Sequence, residues 1–161
     1  MKIFSIIFIL AIFSCSTSNK IINAEYQIVR FKEKIPNKGE LKVQDYLFDV
    51  LRGGKLIKGK HDFTGSNYAE YRIIYPDSSI LYIGNDTWHG SRLNLNNRVG
   101  KGINGINRKN LTDSLYFEGV QLDGRYWKEN ILNDIFVGYV NVKPDEKRKY
   151  DEAIKSVRLY K

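Results

Sequence analysis

The 161-residue sequence predicts an α+β fold, in which a mostly antiparallel β-sheet is built from hairpins and a C-terminal α-helix packs on one face. Two observations support this prediction. Short segments that alternate apolar and polar residues, or that are rich in β-branched and aromatic residues, are separated by turn-forming residues. Near the end of the chain, apolar residues instead recur at helical spacing and form one face: Tyr150, Ala153, Ile154 and Val157.

The first element is an apolar run from Ile3 to Phe13, which Lys2 precedes. A helix of these eleven residues would span only about 16 Å, roughly half of the hydrocarbon core of a bilayer. A charged start, a short apolar stretch and small residues after it are typical of a secretory signal peptide, which we predict at residues 1–14. The alternative is that this run forms an N-terminal strand or helix of the core.

At the end of this run, the sequence Ile12-Phe13-Ser14-Cys15 resembles the lipobox of bacterial prolipoproteins, in the looser form of the Bacteroidetes. In that family, cleavage precedes the cysteine, which then receives acyl chains. The resemblance implies that Cys15 is lipidated and anchors the protein to the outer membrane, on its periplasmic or surface side. Cys15 is the only cysteine, so it cannot form an internal disulfide. The alternative is ordinary secretion with cleavage after Ala24.

The segment after the cysteine lacks periodicity and begins with polar residues, as expected of a tether between a membrane and a folded domain. We therefore assign residues 15–24 to the acylated cysteine and its tether. About 147 residues remain once residues 1–14 are removed, which is the length of one domain. Residues 25–161 are accordingly predicted to form a single α+β domain, long enough to bury a core without disulfides.

Within this domain, six segments have a strand pattern and three stretches are rich in turn-forming residues. The strands are predicted at Tyr26–Lys32, Tyr68–Tyr75, Ile80–Ile83, Ser114–Leu122, Tyr126–Ile131 and Ile135–Val142. The turns are predicted at Pro36–Gly39, Pro76–Ser79 and Asp123–Gly124.

Three other segments have less regular patterns. Leu41–Leu51 mixes helical and strand spacing, which predicts a short helix or an irregular strand. Gly100–Asn110 is predicted to be a loop or a weakly structured connection. Lys143–Lys147 is predicted to open the C-terminal helix, because proline is tolerated in the first turn and acidic residues there oppose the helix dipole.

The composition is basic, with a formal net charge of +8 that falls to +7 once residues 1–14, and with them Lys2, are removed. Because the basic residues are scattered along the chain, one interpretation is simply a solvated surface. The sharper interpretation is an acidic partner, either a protein such as a secreted toxin or an anionic envelope polymer. We expect no nucleic-acid partner, because the signal peptide predicts a site outside the cytoplasm.

The residues with possible chemistry lie in one polar loop, from Gly84 to Ser91. Asp86, His89 and Ser91 are the residue types of a hydrolase triad, but the members of a triad usually come from different elements of the fold. Turn chemistry explains three such residues in one short polar loop well. The chain has two histidines without metal-ligand spacing, and it has no phosphate-binding or dinucleotide-binding glycine motif. We therefore predict no catalytic residue, no metal and no cofactor.

Aromatic and basic residues indicate where a partner would bind. Tryptophan and tyrosine provide large, rigid contact areas and are enriched at recognition hot spots. Trp88 lies among turn-forming residues, where burial is harder, whereas Trp127 lies in an alternating strand and is equally explained as a core residue. The residues predicted to form the binding surface are Trp88, His89, Arg92, Arg125 and Tyr126.

Together these features lead to a functional hypothesis. The chain is predicted to be a membrane-anchored envelope lipoprotein and a non-enzymatic binding protein, most simply a protein-binding module like a toxin-immunity protein. The first alternative is an envelope module that binds glycan or lipid. A small hydrolase that uses Asp86, His89 and Ser91 is the second alternative.

Overall fold

The computed structural model describes residues 25–37, 40–63, 66–87, 89–94, 96–97, 114–132 and 134–160. The predicted signal peptide, Cys15, the tether, Trp88 and the segment Gly100–Asn110 lie outside these ranges. The strands are β1 (Tyr26–Asn37), β2 (Glu40–Leu51), β3 (Lys55–Phe63), β4 (Ser66–Ile74), β5 (Ile80–Gly84), β6 (Ser114–Val120), β7 (Tyr126–Leu132), β8 (Ile135–Val142) and β9 (Arg158–Leu159), and the helix α1 spans Lys147–Lys155.

The strands form two antiparallel sheets. The larger sheet has six strands in the order β3-β4-β5-β8-β7-β6, and the smaller has three in the order β1-β2-β9. The turns predicted at Pro76–Ser79 and Asp123–Gly124 connect β4 to β5 and β6 to β7. An antiparallel sheet of hairpins followed by one C-terminal helix confirms the predicted α+β fold.

One face of the six-stranded sheet is covered by the hairpin β1–β2 and by α1. The buried cluster at this face joins Phe48 and Val50 of β2, Leu81 of β5, Tyr139 of β8 and Ile154 of α1. Burying an aliphatic or aromatic side chain of this size stabilises the fold by about 1.5–3 kcal/mol. This cluster is the main core, and it fixes the position of the helix against the sheet.

The opposite face of the same sheet has a second, smaller cluster. Because side chains alternate along a strand, Tyr82 of β5 and Phe136 of β8 point away from the main core and pack together with Ile131. Leu93, from the segment that follows β5, packs against this cluster. The central strands β5 and β8 are therefore buried on both faces, which explains their nearly continuous apolar sequence.

The helix α1 has the predicted apolar face. Tyr150, Ala153 and Ile154 are buried, and Val157, just beyond the end of the helix, packs against the main core. The helix begins at Lys147, so the predicted opening residues form a turn in front of it. In the part of the chain that the structure describes, no helix has both the length and the apolar character needed to cross a bilayer.

The structure decides one open prediction and adds two strands. Of the two alternatives predicted for Leu41–Leu51, the strand is correct and the helix is wrong: the segment belongs to the long strand β2, and its inward residues Tyr46, Phe48 and Val50 alternate as a strand requires. The strands β3 and β9 were not predicted. β3 is an edge strand whose Leu56 and Ile57 are exposed, so it lacks the alternating pattern that burial imposes.

Candidate functional site

The candidate site is the segment from residue 85 to residue 94, called here the β5 loop. Its polar side chains divide into two groups. Asn85, Asp86, Thr87, Ser91 and Asn94 are buried, whereas His89 and Arg92 are exposed. Residues that favour turns are usually solvated, so burial on this scale indicates that specific hydrogen bonds hold the loop.

The start of the loop is attached to strand β4. The Asn85 backbone N–H donates to the Ala69 carbonyl at 3.3 Å, and the Asn85 side-chain oxygen accepts from the Ala69 N–H at 2.9 Å. These two hydrogen bonds imitate one more pair of the β4–β5 ladder. The loop thus leaves the sheet in a fixed direction.

The next turn of the loop is organised by Asp86. Its carboxylate accepts from the His89 backbone N–H at 3.2 Å and lies 3.0 Å from His89 Nδ1. Its carbonyl accepts from the Gly90 N–H at 2.7 Å, and Gly90 has a φ of +63°, a conformation that favours glycine. The His89 side chain is 61% exposed, so this turn presents an imidazole whose orientation is set by a buried carboxylate.

The end of the loop is held by a buried carboxylate of the sheet. Glu129 of β7 is fully buried, and its Oε2 accepts from the Ser91 N–H at 2.9 Å and from the Tyr82 hydroxyl at 3.0 Å. Asn94 donates from Nδ2 to the Tyr82 hydroxyl oxygen at 2.5 Å and to the Tyr139 carbonyl at 3.3 Å. Both ends of the β5 loop are therefore attached to the sheet by buried hydrogen bonds.

This arrangement requires a glycine at position 138. A Cβ on Gly138 would lie 2.4 Å from the Tyr82 hydroxyl oxygen and 2.2 Å from the Lys128 carbonyl oxygen. Distances this short are incompatible with van der Waals contact, so only glycine lets the Tyr82 ring cross the neighbouring strand and reach Glu129.

The three residues of the alternative hydrolase hypothesis have different surroundings. Asp86 and His89 are in contact, as described above. Ser91 is fully buried, and its Oγ accepts a hydrogen bond from the Leu93 N–H at 3.1 Å, which caps the short 3₁₀ helix Arg92–Asn94. A buried hydroxyl that caps a helix has a structural role, and a substrate cannot reach it in this conformation.

The residues predicted to form the binding surface do not all lie together. The β5 loop follows Gly84, which pairs with Phe136 at one end of β8, whereas Tyr126 pairs with Val142 at the other end. Tyr126 packs against the main core, on the face opposite the β5 loop. His89 and Arg92 thus form one group and Arg125 and Tyr126 another, and Trp88 lies outside the described residues.

Arg125 has a structural role at its own location. Its Nη1 donates to the Asp77 carbonyl and to the Asn141 carbonyl, each at 2.9 Å. The guanidinium therefore connects the turn after β4 to the end of β8.

Tyr126, next to Arg125 in sequence, has a contact with the helix. The ammonium of Lys147 lies 5.6 Å from the centre of the Tyr126 ring, within the range of a cation–π interaction.

Sequence reasoning missed the residues that support the β5 loop, chiefly Glu129 and Tyr82. A signal was present in β7, where the alternate residues on one face of the strand are all buried: Trp127, Glu129 and Ile131. A glutamate between two large apolar residues on the inward face of a strand indicates a buried carboxylate with a structural or functional role. Glu70 of β4 is similarly buried and pairs with Arg72.

A separate groove of about 510 Å³ lies between α1 and the turn after β4, with Tyr75 and Tyr150 among its lining residues. The Tyr75 hydroxyl donates to the Leu51 carbonyl at 3.1 Å, and the Tyr150 hydroxyl is hydrogen-bonded to Ser79. Burial raises the pKa of Tyr150 to about 12. Both hydroxyls thus serve the fold and stay protonated at physiological pH.

Two further observations concern ligands and relatives. Among the residues that the structure describes, no group of three or more histidine, cysteine, aspartate or glutamate side chains is placed to hold a metal ion. Comparison of the chain with protein-family models, with curated proteins and with solved structures finds no match.

Proposed function

We propose that the chain is an envelope lipoprotein, anchored through Cys15, that binds another protein in the manner of a toxin-immunity protein and uses the β5 loop as part of its binding surface. The observation that carries this proposal is the construction of the loop. Buried hydrogen bonds hold both of its ends, while His89 and Arg92 point to solvent. A loop ordered before binding loses little conformational entropy when a partner docks.

The charge of the protein supports an acidic partner. The mature chain has a formal charge of +7, because residues 1–14 contain only Lys2 among the charged residues. A basic surface accelerates association with an acidic protein and disfavours basic competitors. Arginine is enriched at interface hot spots, which makes Arg92 the charged loop residue with the strongest expected contribution.

The hydrolase alternative receives less support than binding. A serine nucleophile has to reach the substrate, but the Ser91 hydroxyl is buried and caps the helix that follows it. The Asp86–His89 pair is explained by turn geometry, since Asp86 also accepts the backbone N–H of His89.

Site-specific photo-crosslinking in the native bacterium tests the binding surface. A benzophenone amino acid replaces His89 in one strain and, as the control, replaces the exposed Arg148 of α1 in another. We expect a discrete protein adduct from position 89 and none from position 148. Mass spectrometry of the adduct then identifies the partner. Equal adducts at both positions, or none at position 89, would contradict the proposal.

Affinity measurements with the identified partner then test the contacts. Arg92→Glu and Trp88→Ala should each weaken binding by more than about 1 kcal/mol, whereas Lys55→Glu, which makes the same charge change on the exposed edge strand β3, should have a smaller effect. If the partner is a toxin, the wild-type gene should protect sensitive cells and the Arg92→Glu gene should not. A hydrolytic activity lost in both His89→Ala and Ser91→Ala would favour the enzyme instead.

A further inference from the structure

The strand register places four turns at one end of the domain. β3 begins beside the end of β4, and both β5 and β7 begin beside the end of β8. We call this part of the domain the turn end: residues 52–54, 75–79, 121–125 and 143–146, with the strand ends beside them. The β5 loop lies at the other end of the sheet, because it follows Gly84, which pairs with Phe136 near the start of β8.

The chain enters the described domain at the turn end. The Glu25 carbonyl accepts from the Arg52 N–H at 2.9 Å, in the turn after β2. The Tyr26 hydroxyl donates to the Lys149 carbonyl, near the start of α1, at 3.2 Å. Residues 15–24 precede this point, and a segment of that length spans at most about 33–36 Å when fully extended. A lipid anchor at the start of that segment therefore keeps the turn end close to the bilayer.

Large apolar side chains are exposed at the turn end. Leu122, at the tip of the turn between β6 and β7, is fully exposed, and Val120 just before it is 55% exposed. Leu56, the second residue of β3, is 49% exposed, and Ile28, near the start of β1, is 65% exposed. Since β3 and β6 are opposite edges of the larger sheet and β1 belongs to the smaller sheet, these side chains are spread across the whole end. Contact with a flat surface requires such a spread.

Positive charge is in excess at the same end. Arg52, Lys55 and Lys143 are exposed, and none of them forms a salt bridge within the described residues. Asp77 and Asp145 lie beside them and also form none in that part of the chain. Three cations thus face two carboxylates. Guanidinium and ammonium groups form charge-assisted hydrogen bonds with phosphate oxygens, and the phosphates of phospholipid headgroups offer these acceptors at a bilayer surface.

We propose that the turn end rests on the phospholipid bilayer, with Leu122 between the headgroups and with Arg52 and Lys55 at the lipid phosphates. This inference rests on the proposed lipid anchor at Cys15 and adds the orientation of the domain to it. The anchor gives the turn end a high effective concentration at the bilayer, so contacts too weak to hold a free protein suffice to orient the domain. The β5 loop then stands about 20 Å further from the bilayer along β8, where a partner can reach it.

Lipid quenching of a fluorescent label tests this orientation. Cys15 is the only cysteine, so the acylated protein has no free thiol, and Leu122→Cys or His89→Cys supplies a single site for a nitrobenzoxadiazole label. The labelled lipoproteins are reconstituted into vesicles of phosphatidylethanolamine and phosphatidylglycerol that contain a nitroxide lipid. We expect the nitroxide to quench the label at position 122. At position 89 we expect quenching only by iodide in the water.

A second measurement changes the contact itself. The label is placed through Asp145→Cys, at an exposed position of the turn end. Leu122→Asp should lower the equilibrium constant for docking by about five-fold or more, because a charge replaces an apolar contact, and should weaken lipid quenching at position 145. Leu159→Asp makes the same change at a leucine that is 54% exposed and pairs with Tyr46 in the middle of β2, so it should have no effect.

Palmitate labelling separates failure of the anchor from failure of this inference. A wild type without palmitate overturns the anchor and, with it, the orientation. A wild type with palmitate overturns the orientation alone if lipid quenching at position 122 is absent or equals that at position 89. Equal effects of Leu122→Asp and Leu159→Asp also overturn it. A label at position 122 that neither quencher reaches would mean that a protein covers the turn end, which contradicts the inference as well.

Discussion

The Tyr82 hydroxyl is the point at which the β5 loop depends on the sheet, and Tyr82→Phe removes it without changing the ring. This hydroxyl donates to the buried carboxylate of Glu129 at 3.0 Å and accepts from the Asn94 amide at 2.5 Å. The substitution leaves Glu129 Oε2 with the Ser91 N–H and leaves Asn94 Nδ2 with the Tyr139 carbonyl.

The expected loss of stability follows from these two contacts. A hydrogen bond to a charged group contributes about 1.5–3 kcal/mol, and a buried donor that loses a partner costs about 1–3 kcal/mol. Because Asn94 keeps a second acceptor and the phenylalanine ring keeps its packing, we expect the free energy of unfolding to fall by about 2–4 kcal/mol. For a domain of this length, each kcal/mol corresponds to about 2–4 °C in Tm.

Urea unfolding followed by tryptophan fluorescence measures this change, and amide hydrogen exchange at Ser91 and Asn94 localises it. Tyr116→Phe is the matched control, because its hydroxyl belongs to a side chain that is 66% exposed, and it should change stability by less than about 0.5 kcal/mol. If Tyr82→Phe were as stable as Tyr116→Phe and exchange at Ser91 were unchanged, the proposed support of the loop would be refuted.

Three further predictions concern the anchor, the helix and the tyrosines. Cys15→Ala should abolish palmitate labelling and release the protein from the membrane fraction. The lipoprotein proposal would be contradicted if the variant still sedimented with membranes and the wild type took up no label. Ile154→Ala truncates a core side chain that is 1% exposed and should lower the free energy of unfolding, measured in urea, by about 2–5 kcal/mol. Leu159→Ala, at a position that is 54% exposed, should lower it far less. Equal effects would mean that α1 is not packed on the sheet. Burial raises the pKa of Tyr46 and of Tyr150 to about 12, while tyrosines of the unfolded chain ionise near pH 10. The contribution of these tyrosines to the free energy of unfolding should therefore be fully present below about pH 10. It should fall by about 1.4 kcal/mol per pH unit for each such tyrosine as the pH rises towards 12. Urea unfolding between about pH 9 and pH 11 measures that slope, which Tyr150→Phe should reduce, and a stability independent of pH in this range would contradict it.

The sequence alone determined the elements whose residues are buried on a regular pattern. β8 is apolar nearly throughout because both of its faces are covered, and α1 has its apolar residues at helical spacing because one face meets the sheet. The turns at Pro76–Ser79 and Asp123–Gly124 follow from local backbone preferences. In each case the cause lies within a few neighbouring residues, so the pattern is readable without the fold.

The tertiary structure alone decided the elements that depend on distant partners. β2 has a mixed pattern of apolar residues, and its pairing with β1 over the full length of the hairpin selects the strand. The edge strand β3 buries few side chains and forms because β4 supplies its hydrogen-bond partners. The two residues of β9 pair with Tyr46 and Leu47, far away in sequence.

In the candidate site, too, the sequence indicates local features but not the contacts between distant residues. The sequence indicated a polar loop near His89 as a binding surface, and that loop does present His89 and Arg92 to solvent. What holds the loop was not readable, because Tyr82, Ser91 and Glu129 are separated by up to 47 positions and meet only when β5 and β7 both pair with β8. A hydrogen bond between distant residues leaves no local pattern in the sequence, since its geometry exists only once the chain has folded.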